Sequence, residues 1–380
     1  MIRITADDKI PFLRGALEEV AGVNYLPGGA ISRADLSETD ALITRTRTRC
    51  DRHLLEGTPV RFIASATIGT DHIDRQYCSE KGIAVANAPG CNSFSVQQYM
   101  VSALLYLFNH RRLDPRRLTL GVIGAGNVGS KVARAAGALG LRVLVNDPPR
   151  QRAEGPAGFV ELERLQESAD IVTFHVPLTR EGADATWHMV DAAFLEKLKP
   201  GVILFNTSRG EVVEEKALLA AMADQRLSDV VLDVFEGEPA VSRALLERLT
   251  LATPHIAGYS LDGKANGTTA AVRAVSRFFN LGLDQWAPEG LTAPEPSELL
   301  ADASKGNLLE LVWEIYRQTY DILADDAKLR QDPNAFEALR GNYPPRREPP
   351  AYSVRLFQGY LELREILETL GFSVLSDYCA

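Results

Sequence analysis

One stretch limits what this chain can become more than any other: Thr119 to Pro149, TLGVIGAGNVGSKVARAAGALGLRVLVNDPP. An apolar run, Leu120-Gly121-Val122-Ile123, reads as a strand and leads directly into Gly124-Ala125-Gly126-Asn127-Val128-Gly129, a G-x-G-x-x-G loop. Val132, Ala133, Ala136 and Leu139 keep a helical period, Gly140 ends the helix, and Arg142-Val143-Leu144-Val145-Asn146 reads as a second strand. In such a unit Gly124 permits the tight turn, Gly126 lets the backbone approach a pyrophosphate, and Gly129 lets helix and strand pack closely. The helix N-terminus then offers free N–H groups to negative charge. Asp147 ends the second strand at roughly the 20-residue spacing of a carboxylate that accepts hydrogen bonds from an adenosine ribose. Such a carboxylate repels a 2′-phosphate, so the unit points to NAD. Asp147 also reads as a cap ahead of Pro148-Pro149, although a cap does not require that spacing.

The pattern around this unit is a strand-and-helix alternation. Upstream, Ile2–Thr5, Ala41–Thr44, Arg61–Ala64 and Ile83–Ala86 read as strands, with a helix over Phe12 to Val20. A long apolar helix spans Asn92 to Arg112. Downstream, Ile171–Phe174, Val202–Phe205, Val230–Leu232 and Leu251–Ala252 read as buried strands. Alternation of this kind implies parallel sheets with helices on both faces. After His255 a helix rich in small residues, Asn266 to Leu281, is placed most economically back on the first domain. A Pro-rich joint, Ala287 to Pro296, then introduces a different composition. Leu308, Leu311, Val312, Ile315, Tyr316, Thr319 and Leu323 keep helical spacing, followed by a strand near Tyr352 to Phe357, a helix from Tyr360 to Leu370 and a strand around Phe372 to Leu375.

The expected fold class is α/β: two Rossmann-like/flavodoxin-like doubly wound parallel-sheet domains plus a small C-terminal α+β domain. The expected boundaries are 1–95 with 259–286 for a discontinuous substrate-binding domain, 96–258 for the NAD-binding Rossmann domain, and 287–380 for the C-terminal domain. A chain of 380 residues should hold two or three domains. Its 46% hydrophobic and 24% charged residues fit a globular protein, and a net charge of −9 argues against nucleic acid or an acidic membrane as partner. No signal-like N-terminus or membrane-length apolar run occurs, so a cytoplasmic location is expected. Cys50, Cys78, Cys91 and Cys379 lack metal-ligand spacing, so reduced thiols and no metal are expected.

Three segments follow late strands: Asn206-Thr207-Ser208-Arg209-Gly210, Asp233-Val234-Phe235-Glu236-Gly237-Glu238-Pro239 and Thr253-Pro254-His255-Ile256-Ala257-Gly258-Tyr259. Together they offer an arginine, a carboxylate and an imidazole. Oxidising a secondary alcohol with NAD requires removal of the hydroxyl proton, which a neutral histidine such as His255 can accept. A guanidinium such as Arg209 orients a substrate carboxylate and stabilises the forming oxyanion. A glutamate such as Glu238 fixes the imidazole tautomer. Singly, each has a bland reading: a satisfied core histidine, a surface ion pair, a turn. Two upstream loops, Arg45-Thr46-Arg47-Thr48-Arg49 and Ser65 to His72, stand at strand ends where ligands bind in such sheets. Arg47 and Arg49 read equally as a solvated face; Arg45 and Thr46 are better placed.

These motifs together resemble the D-isomer-specific 2-hydroxyacid dehydrogenase family. The resemblance is carried by Thr67-Ile68-Gly69-Thr70-Asp71-His72-Ile73-Asp74, the Gly124 to Asp147 unit, Phe174-His175-Val176-Pro177-Leu178 and the three segments above. It implies that Arg209, Glu238 and His255 are catalytic, and that Asp147 binds the ribose. It places the pyrophosphate loop at Asn127 and Val128, and further cofactor contacts at Val176, Thr207, Ser208, Asp233 and Gly258. The carboxylate-binding loop falls on Thr67, Ile68 and Gly69. A narrower match rests on Ala88 to Asn92, His255 to Lys264, and a C-terminal module with Asn342-Tyr343 and Arg346-Arg347. It implies a phosphorylated hydroxy acid as substrate, contacts to it from Thr46 and Tyr259, and a homodimer formed through the C-terminal domain. A phosphate dianion needs cationic partners, for which Arg45, and Arg346 or Arg347 reaching across a dimer, are candidates. Dehydrogenation of another hydroxy acid, such as 3-phosphoglycerate, and a non-catalytic NAD-sensing role remain as alternatives.

Overall fold

Mostly apolar runs of two to six residues form the strands, and their alternation decides which layer each side chain enters. A computed structural model describes residues 1–302, 304, 306–357 and 361–376. It divides into two units: Met1–Asn92 with Ser260–Thr292, and Ser93–Tyr259 with Ala293–Ala380.

The first unit holds β1 (Ile2–Asp7), β2 (Ala21–Leu26), β3 (Ala41–Thr44), β4 (Phe62–Ser65) and β5 (Ala84–Ala86), parallel throughout in the order β2-β1-β3-β4-β5. Ile4, Ala6, Ile43 and Phe62 share one core with Ala271, Val272 and Val275 of the helix Leu261–Phe279. That helix lies so close that a side chain at Gly267 would meet the Ala66 carbonyl at 2.3 Å. Ile63, Leu42, Cys50, Tyr77 and Cys78 fill the opposite face.

The expected helix at Phe12–Val20 is not there. The segment runs through turns, with Phe12 at φ 62° and Gly15 at φ 85°. Left-handed backbone at both positions stops a right-handed helix from propagating. The apolar side chains Leu13, Ala16 and Leu17 are nevertheless buried, so the periodicity reported burial rather than helix. The following edge strand, β2, was not expected; its side chains are mostly half-exposed and carry little apolar signal.

The second unit contains β6 (Thr119–Ile123), β7 (Arg142–Asn146), β8 (Ile171–Phe174), β9 (Val202–Asn206), β10 (Leu227–Leu232) and β11 (Leu251–Ala252). They form a parallel sheet in the order β11-β10-β9-β8-β6-β7. Strand alternation divides the core: Ile171, Ile203, Phe205 and Val231 face one cluster, Val172, Leu204, Val230 and Leu232 the other. Both faces being covered is what an all-parallel sheet requires.

The first of these clusters contains the helix Ser93–Arg111, which is buried on nearly every side, and continues into the C-terminal module through Val312, Ile315, Tyr316, Val354, Leu363 and Leu367. Three polar side chains on that helix bond to what surrounds it. Ser95 Oγ donates to the Ala257 carbonyl at 2.8 Å, Gln97 to Leu370 at 3.0 Å, and Gln98 to Thr319 and the Arg347 carbonyl.

The C-terminal module adds β12 (Glu298–Asp302), β13 (Ser353–Phe357) and β14 (Ser373–Ser376), a small parallel sheet. The helical run from Leu308 breaks into Leu308–Thr319 and Ile322–Gln331, where Asp321 caps the second helix through the N–H groups of Leu323 and Ala324. Tyr360, expected to start the last helix, and Cys379 lie outside the described residues. Among the described residues no helix is long and apolar enough to cross a membrane.

Candidate active site

Strand order reverses between β6 and β8, and in open parallel sheets ligands bind outside the strand C-termini at that reversal. Gly124 ends β6 there with φ 86°; a Cβ on it would stand 2.5 Å from the His175 carbonyl oxygen and 2.8 Å from Val176. Gly129 has no room either, its Cβ position lying 1.9 Å from the Gly124 oxygen. Gly126 differs, since nothing approaches its Cβ position within 4 Å. It is the N-cap of the helix Asn127–Ala138 and supplies no capping side chain, so the first-turn N–H groups beyond exposed Asn127 and half-buried Val128 lack a side-chain cap. Open space beside uncapped N–H groups fits a pyrophosphate.

Asp147 is a cap, one of the two readings of the sequence, and it also braces the glycine loop. Its Oδ1 accepts from Arg150 N at 3.0 Å as the cap of Pro148–Glu154, and its Oδ2 accepts from Ala125 N at 2.7 Å, bracing the glycine loop. A carboxylate has about four lone-pair sites, so capping leaves acceptors for a ribose.

His175 is half-buried between Thr173 Oγ1 at 3.1 Å and Thr207 Oγ1 at 3.4 Å, and desolvation pulls its imidazole down to about 3. It is a neutral spacer at the strand reversal. Ser208 is buried, its hydroxyl donating to Asn206 Oδ1 at 2.8 Å. The same Asn206 side chain donates to the Arg209 carbonyl at 2.8 Å, which shapes the loop from which Arg209 projects, half-buried. Arg209 Nη1 donates to Ser208 O at 2.8 Å.

β9, β10 and β11 are neighbours and parallel, so Arg209, Glu238 and His255 follow adjacent strands at one sheet edge. The β9 and β10 tips are in contact: a Cβ on Gly210 would overlap the Phe235 carbonyl at 2.0 Å. His255 Nδ1 lies 2.5 Å from Glu238 Oε1. Glu238, being ionised, accepts a hydrogen bond from Nδ1–H, which leaves the Nε2 lone pair of the neutral ring to face outward as an acceptor. Burial pushes the Glu238 carboxyl up, but the hydrogen bond and charge of His255, with Arg340 further out, outweigh it and hold the group below the ordinary carboxylate range. Glu236 does not compete for this role, since it is spent on His188 at 2.6 Å and on Glu215 N at 3.0 Å.

The backbone at His255 is held by a third carboxylate. His255 has φ 54°, unusual for a side chain of this kind. Its N–H donates to Asp233 O at 2.7 Å, while the Asp233 carboxylate accepts from Ile256 N at 2.8 Å, Ala257 N at 2.9 Å and Thr253 Oγ1 at 2.7 Å. Burial raises the Asp233 carboxyl, against His255 and these donors. Thr253 Oγ1 in turn lies 2.8 Å from the Tyr99 hydroxyl. Asp233 thus works within the protein as a turn organiser, a role its sequence neighbourhood did not announce.

Half-buried Gly258 and Tyr259 continue this turn. Tyr259 meets the Tyr343 ring edge-on at 6.0 Å and lies 5.7 Å from the Arg340 guanidinium. Arg340 was missed by sequence reasoning, since it shares no motif with the site and is brought there only by the C-terminal packing. Arg346 is corrected: it is 6% exposed and hydrogen-bonded inside its own chain, to Ser95 Oγ and to the Ile256 and Ala257 carbonyls, so it does not reach across a dimer to a phosphate.

The remaining expected contacts lie on the first unit. Arg45 Nε is 3.1 Å from buried Asp7, and Thr46 is exposed. Half-buried Thr67, Ile68 and Gly69 form a braced loop: Thr67 O accepts from Ala88 N at 3.0 Å, Ile68 O from Asn87 at 2.6 Å, and Thr67 Oγ1 reaches Ser65 Oγ at 2.8 Å.

A model of the D-isomer specific 2-hydroxyacid dehydrogenase family, NAD binding domain, matches residues 107–257, and a domain of unknown function matches residues 297–371. Erythronate-4-phosphate dehydrogenase of Bacteroides thetaiotaomicron is 48% identical, over 93% of this chain and 99% of that one. The enzyme of the same name from Pseudomonas syringae is 41% identical over 97% and 99%. A crystal structure of D-lactate dehydrogenase from Aquifex aeolicus, complexed with NAD and lactic acid, is similar with TM-score 0.62 and 26% identity, covering 74% of this chain and 97% of that one. With the glycine loop braced by Asp147 and the paired imidazole at the strand tips, the chain belongs to the D-isomer specific 2-hydroxyacid dehydrogenase family and is an NAD-dependent 2-hydroxyacid dehydrogenase.

Proposed function

We propose that this dehydrogenase oxidises the 2-hydroxyl of 4-phospho-D-erythronate to (R)-3-hydroxy-2-oxo-4-phosphooxybutanoate, a cytoplasmic step toward pyridoxal 5′-phosphate. The reading is supported by nearly full-length relatives of that name at 40–48% identity. The observation that carries the chemistry is the 2.5 Å pair between His255 and Glu238.

NAD, bound along the Gly124, Gly126, Gly129 and Asp147 loop with Val176, Thr207, Ser208, Asp233 and Gly258 beside it, supplies the two-electron acceptor. His255 Nε2 takes the hydroxyl proton, and the resulting imidazolium is stabilised by Glu238 at Nδ1. Arg209 orients the substrate carboxylate and shields the charge growing on its 2-oxygen. The backbone of Thr67, Ile68 and Gly69 receives the same carboxylate, and Thr46 and Tyr259 contact the chain of the substrate.

For the phosphate we assign Arg340. Arg340 keeps only about a fifth of its side chain exposed and has a buried Nε with no hydrogen-bond partner among the described residues. It is held toward Glu337 at 3.2 Å, which leaves donors to spend on a dianion.

A homodimer through residues 287–380 completes the proposal. Leu300, Phe357, Leu361 and Leu375 are all exposed in the C-terminal module, an unusual amount of bare apolar surface for a parallel sheet.

A substrate panel followed by nicotinamide absorbance tests the reading. Turnover of 4-phospho-D-erythronate far above D-erythronate, D-lactate and 3-phosphoglycerate is expected. A preference for any of the others would replace the substrate while leaving the reaction class intact. Arg340→Gln should raise KM for the phosphorylated substrate by about 10- to 100-fold, the loss of one or two charged hydrogen bonds, and affect D-erythronate kinetics far less.

A further inference from the structure

We propose that Arg346, in the C-terminal module, is a positioning residue that holds the His255 turn in its working conformation; the inference rests on His255 being the base. The turn is gripped from two sides. Asp233 accepts the N–H groups of Ile256 and Ala257 at 2.8 and 2.9 Å. Arg346 Nη2 donates to the carbonyls of the same two residues, at 3.2 and 2.7 Å, and to Ser95 Oγ. Ser95 itself donates to the Ala257 carbonyl at 2.8 Å. A buried anion and a buried cation therefore face each other across the Ile256–Ala257 peptide, whose N–H meets Asp233 and whose C=O meets Arg346, and each holds one flanking peptide besides.

Burying a guanidinium without a carboxylate partner is expensive. Arg346 is 6% exposed, and its Nε and Nη1 have no hydrogen-bond partner among the described residues. Its charge is offset instead by the face of Tyr320, 4.3 Å away, and by the fields of Asp233 and Asp325. A module that merely covered the apolar side of the Ser93–Arg111 helix would not need this cation; leucine or methionine would serve at less cost. The cation goes where the backbone is least comfortable: His255 has φ 54°, a left-handed conformation that persists only when its surroundings over-determine it. Released, the turn relaxes toward ordinary φ and the ring leaves Glu238. The C-terminal module, matched to a domain of unknown function, thereby acquires a part in catalysis without touching substrate.

The test uses the full-length enzyme with Arg346→Met, Arg346→Lys and Ser95→Ala, each also in a Glu238→Gln background, reading kcat, KM, NAD binding and melting temperature. A positioning role lowers kcat about tenfold or more in folded Arg346→Met with NAD binding unchanged, and Arg346→Lys recovers part of it. The loss shrinks in the Glu238→Gln background, because an unaimed ring cannot lose a partner it no longer has. An equal loss in both backgrounds, or unchanged kcat in a folded variant, overturns the proposal. If Arg346→Met does not fold, Ser95→Ala carries the test, with a several-fold, background-dependent fall expected and an unchanged kcat contradicting it. Should His255→Ala itself retain turnover, the reading of the base fails, and that result is separate from any effect of Arg346.

Discussion

Gly126 and Gly129 stand within one helical turn of each other and fail in different ways when a methyl is added. At Gly129 the new Cβ would lie 1.9 Å from a backbone oxygen, so Gly129→Ala must distort the loop and should destabilise the apoprotein by several kcal/mol, in the range of severe core overpacking. At Gly126 the space is open and φ is −68°, so Gly126→Ala should fold with stability within about 1 kcal/mol of the parent yet bind NAD much more weakly. Urea denaturation and NAD titration of both variants separate a packing glycine from a ligand-approach glycine. The two were legible in the sequence because loop, helix and strand follow one another directly. Glu238 stands in a strand-tip segment only 17 positions from His255, whereas the place of Arg340 beside Tyr259 and the hold of Arg346 on Ile256, 90 positions away, were not legible, since no local pattern records contacts so distant in the chain.

Strands carried by a short apolar run announced themselves, at a sheet edge (β5, β7, β11 and β14) as well as inside a sheet. β8, β9 and β10 read as strands from unbroken aliphatic runs, while β2 and β12 sit at sheet edges with mixed burial and escaped notice. Phe12–Val20 shows the converse error, since buried leucines at helical spacing lie on turns that Phe12 and Gly15 open with positive φ. In the C-terminal sheet Leu300 and Leu375 flank Arg355 in register, with Leu300 61% exposed. If this face pairs two copies, Leu300→Arg should convert the dimer to a monomer in sedimentation equilibrium while the melting curve of the dilute protein changes little. A parent protein that sediments as a monomer at every concentration would refute the dimer.

At the scale of the whole molecule, stability should depend on pH through His175. Its folded imidazole is held at about 3 by desolvation, against an ordinary 6.5. The unfolded chain therefore binds a proton on acidification that the folded chain refuses. Stability falls as pH drops from about 6.5 toward about 3, with a slope of up to about 1.4 kcal/mol per pH unit from this residue. His175→Asn should flatten that slope in urea titrations between neutral and mildly acidic pH; an unchanged slope would place the proton uptake elsewhere. The sequence made the parallel sheets and the order of the strand tips legible, but not how the last ninety residues support the site. The central claim is that the imidazole at the β11 tip removes the substrate proton. Its most direct test is His255→Ala, measured for NAD affinity and for turnover of a 2-hydroxy acid at saturating cofactor. The account predicts unchanged NAD binding with turnover reduced by roughly 10²- to 10⁴-fold; turnover equal to that of the parent enzyme would contradict it.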